Sequence, residues 1–462
     1  METAVVVVPR SPVRRAERRF RQASDGQHSS PGSRIGRSGQ YDAVVEQNGL
    51  HRGVFAHTSI VGEQRAVTGR LGRWSANFRS EHPGTPPKAR WPHAIRARRT
   101  TGRKLFDLTI SNPTVCGFSF DDAAILEALK NPASLIYDPN PKGIPSARHA
   151  VTEYYNGHRT DVDPENIILT TSTSEAYSFL FRLLCDPGDA VLVAQPSYPL
   201  FDFLADLDNV RLQPYPLFED FGWWIDFAEL ERRITPLTRA IILVHPNNPT
   251  GHATSRAERD HLQALCLRHR LALIVDEVFL DYGISGPIES FATGPHPCLT
   301  FVISGLSKIA ALPQMKVGWL VCLGPTSQRK PALARLEVIA DTFLSMNAPA
   351  QNALPVWLAS REPIQRQILD RVRGNLKTLA ASGLDFLEVK AGWSVVLKLS
   401  QHKSRLDLAE TIVQETGVSV HPGSFYGLPG QHQIVVSLLG PQNTFVEGIK
   451  TLKKWCESEE LT

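Results

Sequence analysis

Along the middle of the chain, apolar runs alternate with stretches of helical period. The runs are "NIILTT", "AVLVAQP", "AIILVHP", "LALIVDEVF", "LTFVISG" and "VGWLVCLG"; helices such as "SEAYSFLFRLLC" and "SRAERDHLQALCLRHR" fall between them. A strand with one wet face would show polar residues at every second position. These runs do not, so they read as strands buried on both faces. With helical stretches between them, the alternation predicts an open, doubly wound α/β sheet, mainly parallel. Later, "WSVVLKLS" and "QIVVSLL" follow a helical region and predict a smaller α/β domain, joined by the early strand "LFDLTI". The expected division is a basic extension over 1–90, a segment 91–125 joining the small domain, a large domain over 126–345 and a small domain over 346–462.

Composition narrows the class. The chain has 462 residues, enough for two domains and an appendage. No apolar run approaches the roughly 20 residues of a membrane helix, and "AVVVV" near the start lacks a signal-peptide pattern. Six scattered cysteines form no CxxC pair, which predicts a reducing, cytoplasmic setting without a disulfide frame or a metal site. The net charge of +4 divides into +8 over residues 1–90 and −4 over the rest. The body is therefore not expected to bind nucleic acid. The Arg-, Ser- and Gly-rich residues 1–90 read as a mostly disordered extension, a targeting arm or an over-extended start.

Ligands in such sheets sit beyond the carboxyl ends of the strands, and polar residues follow the apolar runs there. "TTSTSEAYSF" places Ser172, Thr173 and Ser174 at a helix start, as a plain cap or as an anion pocket made of free amides. "HPNNPTG" offers the Asn248 amide to a ligand, or reads equally well as an ordinary turn. "DEVF" puts Asp276 at the end of a buried strand, where its carboxylate needs a cap, a salt bridge or a protonated heterocyclic nitrogen. "SGLSK" ends on Lys308, a solvated lysine or a desolvated amine nucleophile.

Taken in order with "SNPT" (Ser111–Thr114), "YDPNPKGIPSAR" (Tyr137–Arg148) and "QPSYP" (Gln195–Pro199), these motifs resemble the fold-type I, class I/II pyridoxal-phosphate aminotransferases from about Leu105 to the C-terminus. The resemblance implies the cofactor pyridoxal 5′-phosphate and a ping-pong transfer of an amino group between an amino acid and a 2-oxo acid. Lys308 would carry the cofactor as an internal aldimine and Asp276 would pair with its ring nitrogen. Asn248 would bond the phenolic oxygen and Tyr198 would stack on the ring. Ser172, Thr173, Ser174 and Ser307 would hold the phosphate. Tyr137 would reach the phosphate of a neighbouring subunit, which implies a homodimer with shared sites. Ser111 and Asn248 would also face the substrate.

Three positions depart from the family. Lys316, eight after Lys308, stands where the phosphate arginine is usual; it keeps the charge and loses the bidentate fork. Phe279 replaces a tyrosine that donates to the phenolic oxygen, which predicts a raised pKa of the cofactor's lysine linkage. Val436 falls where an arginine would clamp the substrate carboxylate, leaving Lys398 as a substitute or as an ordinary solvated strand residue. The missing arginine keeps a C–S β-lyase open as an alternative on the same scaffold. The basic extension keeps open a DNA-binding regulator with a transaminase-like sensor.

Overall fold

The computed structural model describes residues 90–344, 346–399, 408–430 and 432–460. The extension expected over 1–90 lies outside the described residues apart from Arg90.

Thirteen strands are described. They are β1 (Phe106–Asp107), β2 (Ile167–Thr170), β3 (Ala190–Gln195), β4 (Arg211–Glu219), β5 (Trp223–Ile225), β6 (Thr238–Val244), β7 (Ala272–Asp276), β8 (Thr300–Gly305), β9 (Gly318–Leu323), β10 (Ser394–Lys398), β11 (Val418–Ser419), β12 (His421–Pro422) and β13 (Gln433–Ser437). Eight form one mixed sheet in the order β2-β9-β8-β7-β6-β3-β4-β5. The centre, β8-β7-β6-β3-β4, is parallel throughout, and β9 and β5 run against it.

Alternation along the central strands explains the unbroken apolar runs. Leu273 and Val275 point into one core with Ile241 and Leu243. Ile274 between them points into the opposite core with Ile242 and Val244. Both faces are dry, so neither parity can be polar. The β4–β5 hairpin was not legible in the same way. Strand β4 carries Pro214 and Pro216 at alternate positions, which remove donors from one side of the strand and hide its β signal.

A three-stranded antiparallel sheet, β10-β13-β12, and the short parallel pair β1-β11 form the smaller layer. Phe106 sits opposite Val418, so the early strand lies beside the C-terminal part of the chain. A third core fills this region, with Trp91, Leu108, Ile368, Val395, Val436 and Phe445 among its members. No helix of the described residues is long and apolar enough to cross a membrane.

Candidate active site

Strands β6, β7 and β8 are neighbours in register: Val244 lies opposite Asp276, and Asp276 opposite Ile303. The loops leaving their carboxyl ends therefore start from almost one level. Asp276 closes β7 at this level, and the segments after β6 and β8 carry Asn248 and Lys308.

Asp276 is the last residue of β7 and is 7% exposed. The Val278 N–H donates to its Oδ1 at 3.1 Å and the Tyr177 hydroxyl to its Oδ2 at 3.1 Å. Burial nevertheless pushes the carboxyl up from 3.8 to about 6, against the pull of these donors and of Lys308. The site thus holds a carboxylate short of positive charge.

Lys308 lies in the short helix Leu306–Ile309, directly after β8. Its carbonyl accepts from the Tyr282 hydroxyl at 2.6 Å, which fixes the main chain. Its amine stands 5.0 Å from the centre of the Trp393 ring and 5.7 Å from that of Phe279. Burial among these groups lowers the amine from 10.5 to about 8, partly offset by Asp276.

The helix Thr173–Leu184 begins after β2. The Ser172 hydroxyl caps it by accepting from the Glu175 N–H at 3.2 Å, and the Glu175 carboxylate accepts the Thr171 N–H at 2.7 Å. These two bonds leave the N–H groups of Thr173 and Ser174 free at the positive end of the helix dipole. Gly318 of β9 passes so close that a Cβ there would lie 2.9 Å from the Ser172 carbonyl carbon and 3.1 Å from the Thr173 nitrogen.

The other expected residues are distributed less evenly. Asn248 is half-buried in its turn. Gly251, at φ +66°, lets the turn press on Val389, and its carbonyl accepts from the Lys390 and Ala391 N–H groups at 3.2 Å. This contact ties the Asn248 turn to the segment that leads into Trp393. Tyr198 follows β3, is 38% exposed and senses the Asp276 charge. Ser307 is half-buried beside Lys308. Lys316 is exposed, with left-handed backbone at φ 53°, two residues before Gly318. Ser111 is exposed on a loop held to β13 by the Ser437 hydroxyl, which donates to the Ile110 carbonyl. Tyr137 is 77% exposed between Ile136 and Asp138 and joins no hydrogen bond or ring contact among the described residues.

Two positions bear on the carboxylate clamp. Val436 shares its face of β13 with Ile434 and points into the core of the smaller layer, so a cation there would be buried in hydrocarbon. The opposite face, with Val435 and Val396 paired across the strands, packs toward the large sheet at its centre and carries Ser437 opposite Ser394 and Gln433 opposite Lys398 at its ends. Lys398 lies at the far end of β10 from Trp393 and is already engaged, its amine 2.6 Å from the Glu219 carboxylate.

Tyr177, Tyr282 and Trp393 escaped the sequence reading. Tyr177 lies inside the motif "TTSTSEAYSF", but a helical tyrosine carries no sign of which distant carboxylate it will meet. Trp393 and Tyr282 meet Lys308 only through folding.

The donor set fits pyridoxal phosphate: an amine with a lowered pKa, an undercompensated buried carboxylate and a helix N-terminus with two free N–H groups. Fold and site together define the class of fold-type I pyridoxal-phosphate enzymes. The pattern of the family described as aminotransferase class I and II matches residues 106–444, and the chain belongs to that family. It is 30% identical over 270 residues to the glutamate-pyruvate aminotransferase AlaA of Escherichia coli, covering 58% of this chain and 66% of that one. Against the alanine aminotransferase of Mycobacterium bovis it is 33% identical over 287 residues, covering 60% and 65%. The matches thus span just under two thirds of these relatives. The solved alanine aminotransferase of Pyrococcus furiosus superposes with a TM-score of 0.73 at 22% identity, covering 79% of this chain and 96% of that one, which shows the shared fold.

Proposed function

We propose that the protein is an aminotransferase that moves an amino group between an amino acid and a 2-oxo acid by a ping-pong route. The observation that carries this is the buried Asp276 carboxylate beside the Lys308 amine, at the ends of adjacent strands. The names of the relatives, glutamate-pyruvate and alanine aminotransferase, support small amino acids as substrates.

Lys308, Asp276, Asn248, Tyr198, Ser307, Lys316 and the start of the Thr173–Leu184 helix with its Ser172 cap would hold the cofactor. When bound, pyridoxal phosphate supplies an electron sink for the bond broken at the substrate α-carbon. Asp276 is mostly ionised at neutral pH and would accept the N–H of a protonated ring nitrogen. With its pKa near 8, Lys308 is about a tenth neutral at pH 7, enough to act as nucleophile and as proton carrier at the α-carbon. Because Tyr282 anchors the Lys308 carbonyl, the side chain can swing while the backbone stays. Ser111, on its loop beside β13, would face the substrate.

A homodimer is part of the proposal: Leu135, Ile136 and Tyr137, 91%, 68% and 77% exposed, form an apolar edge suited to a second copy. A reducing, cytoplasmic setting is supported by the six cysteines, all free.

The test is to load the purified chain with pyridoxal phosphate, reduce with borohydride and map the modified peptide, then expose unreduced enzyme to a panel of amino acids. The expected result is modification of Lys308 and one equivalent of oxo acid per site without an acceptor, with turnover once a 2-oxo acid is added. Continuous release of pyruvate and ammonia without an acceptor would instead identify a lyase.

A further inference from the structure

We propose that Tyr177 is a positioning residue: its phenol, on the helix whose N-terminus meets the cofactor phosphate, orients the Asp276 carboxylate that meets the ring nitrogen. The inference rests on the proposed pyridoxal-phosphate site and adds a residue to it.

The Tyr177 hydroxyl donates to Asp276 Oδ2 at 3.1 Å, and Tyr177 is 2% exposed. The surrounding core would accept a phenylalanine equally well. Phe201 meets the Tyr177 ring edge-on at 5.0 Å, Phe181 lies at 6.1 Å, and Phe179 belongs to the same cluster. The hydroxyl therefore adds nothing to packing, and a buried hydroxyl requires a partner. Other buried tyrosines spend theirs elsewhere: Tyr215 on the Ile242 carbonyl, Tyr282 on the Lys308 carbonyl and Tyr154 on Asp281. Among the described residues, Tyr177 is the tyrosine that donates to Asp276.

The placement on the helix gives the bond its use. Thr173 and Tyr177 are four residues apart, so they share one face of the helix, about one turn apart along its axis. One rigid element would thus offer free N–H groups to a phosphate while, a turn later, it fixes the Asp276 carboxylate that would serve the far end of the same ligand. Val278 N–H holds the other carboxylate oxygen. The remaining groups that face Asp276 electrostatically are Lys308 after β8, Tyr198 after β3 and Tyr155 from the helix Pro145–Gly157.

A hydrogen bond to the ionised form favours that form. Removing it lets the carboxyl take up its proton at higher pH and frees it to turn away. The experiment is Tyr177→Phe, with pyridoxal phosphate affinity measured by equilibrium dialysis from pH 5 to 9 and the melting of the unloaded chain followed alongside. The expected result is melting within a few degrees of wild type, affinity at pH 7 down about tenfold and the acid limb of binding moved up by about one pH unit. Tyr215→Phe, the same deletion away from Asp276, should leave the limb in place. In an Asp276→Asn background, Tyr177→Phe should add no further change. Wild-type affinity and an unmoved limb in Tyr177→Phe overturn the inference, as does a loss that tracks melting alone. If wild type itself takes up no pyridoxal phosphate, the proposed function falls and this inference falls with it; if wild type binds and Tyr177→Phe matches it, only this inference falls.

Discussion

The amine of Lys308 stands 5.0 Å from the centre of the Trp393 indole, which comes from the far end of the sequence and lies edge-on to Phe279 at 5.3 Å. Two effects compete in this contact. An aromatic face favours the charged amine by about 0.5–2 kcal/mol, while exclusion of water favours the neutral one. The amine is lowered to about 8, so exclusion of water wins. Trp393→Leu should readmit water and raise the pH midpoint for cofactor capture. Capture at pH 7 should slow by about tenfold for every pH unit that the midpoint rises. Stopped-flow capture rates against pH check this; an unmoved or lowered midpoint contradicts it.

Asp276 is a cost to the unloaded fold. Its carboxyl titrates near 6 in the folded chain against 3.8 ordinarily, so between those values the folded state holds the extra proton. Stability therefore falls as pH rises through that window, and above it the full penalty, on the order of 3 kcal/mol, is in place. Asp276→Asn should raise the melting temperature of the unloaded chain at pH 7–8 while weakening pyridoxal phosphate binding. The gain should vanish below about pH 4. Melting curves across pH that show no gain at pH 7 would contradict the account.

Gly318→Ala should damage the phosphate end alone. Its Cβ would meet backbone atoms of Ser172 and Thr173, which cannot turn aside like a side chain. Pyridoxal phosphate should bind at least about tenfold more weakly, with a much smaller change for unphosphorylated pyridoxal. Equal losses for the two ligands would mean that the contact serves the fold instead.

Phe279 leaves the expected phenolic-oxygen donor absent, and its ring is turned to Trp393 and the Lys308 amine instead. Phe279→Tyr should lower the pH midpoint of the bound cofactor's visible absorbance. An unchanged or raised midpoint in a titration of both proteins refutes this.

Lys398→Ala should leave the KM for the amino donor within about threefold, because the lysine is held by Glu219. The pair is partly exposed, so its loss should cost less than about 1 kcal/mol. A KM rise of a hundredfold would restore Lys398 as the carboxylate anchor.

The carbon–nitrogen chemistry was legible in the chain because strand ends put it there: Asn248, Asp276 and Lys308 each follow an unbroken apolar run, and such runs end at the ligand side of an α/β sheet. Capping chemistry was legible too, since the partners Ser172 and Glu175 are neighbours in sequence. Strand β4 was not, because its prolines mask its propensity.

What the amino-acid order determined by itself was therefore local: apolar period, helix starts and the polar residue that closes each strand, all set by contacts within a few positions. Only the tertiary structure decided that Tyr177 reaches Asp276 across 99 positions, that Trp393 closes over Lys308, and that Val436 faces a core while Lys398 faces Glu219. Those pairings depend on register and on which face of a strand is turned inward. A slip of one residue reverses that face, and no local pattern records it.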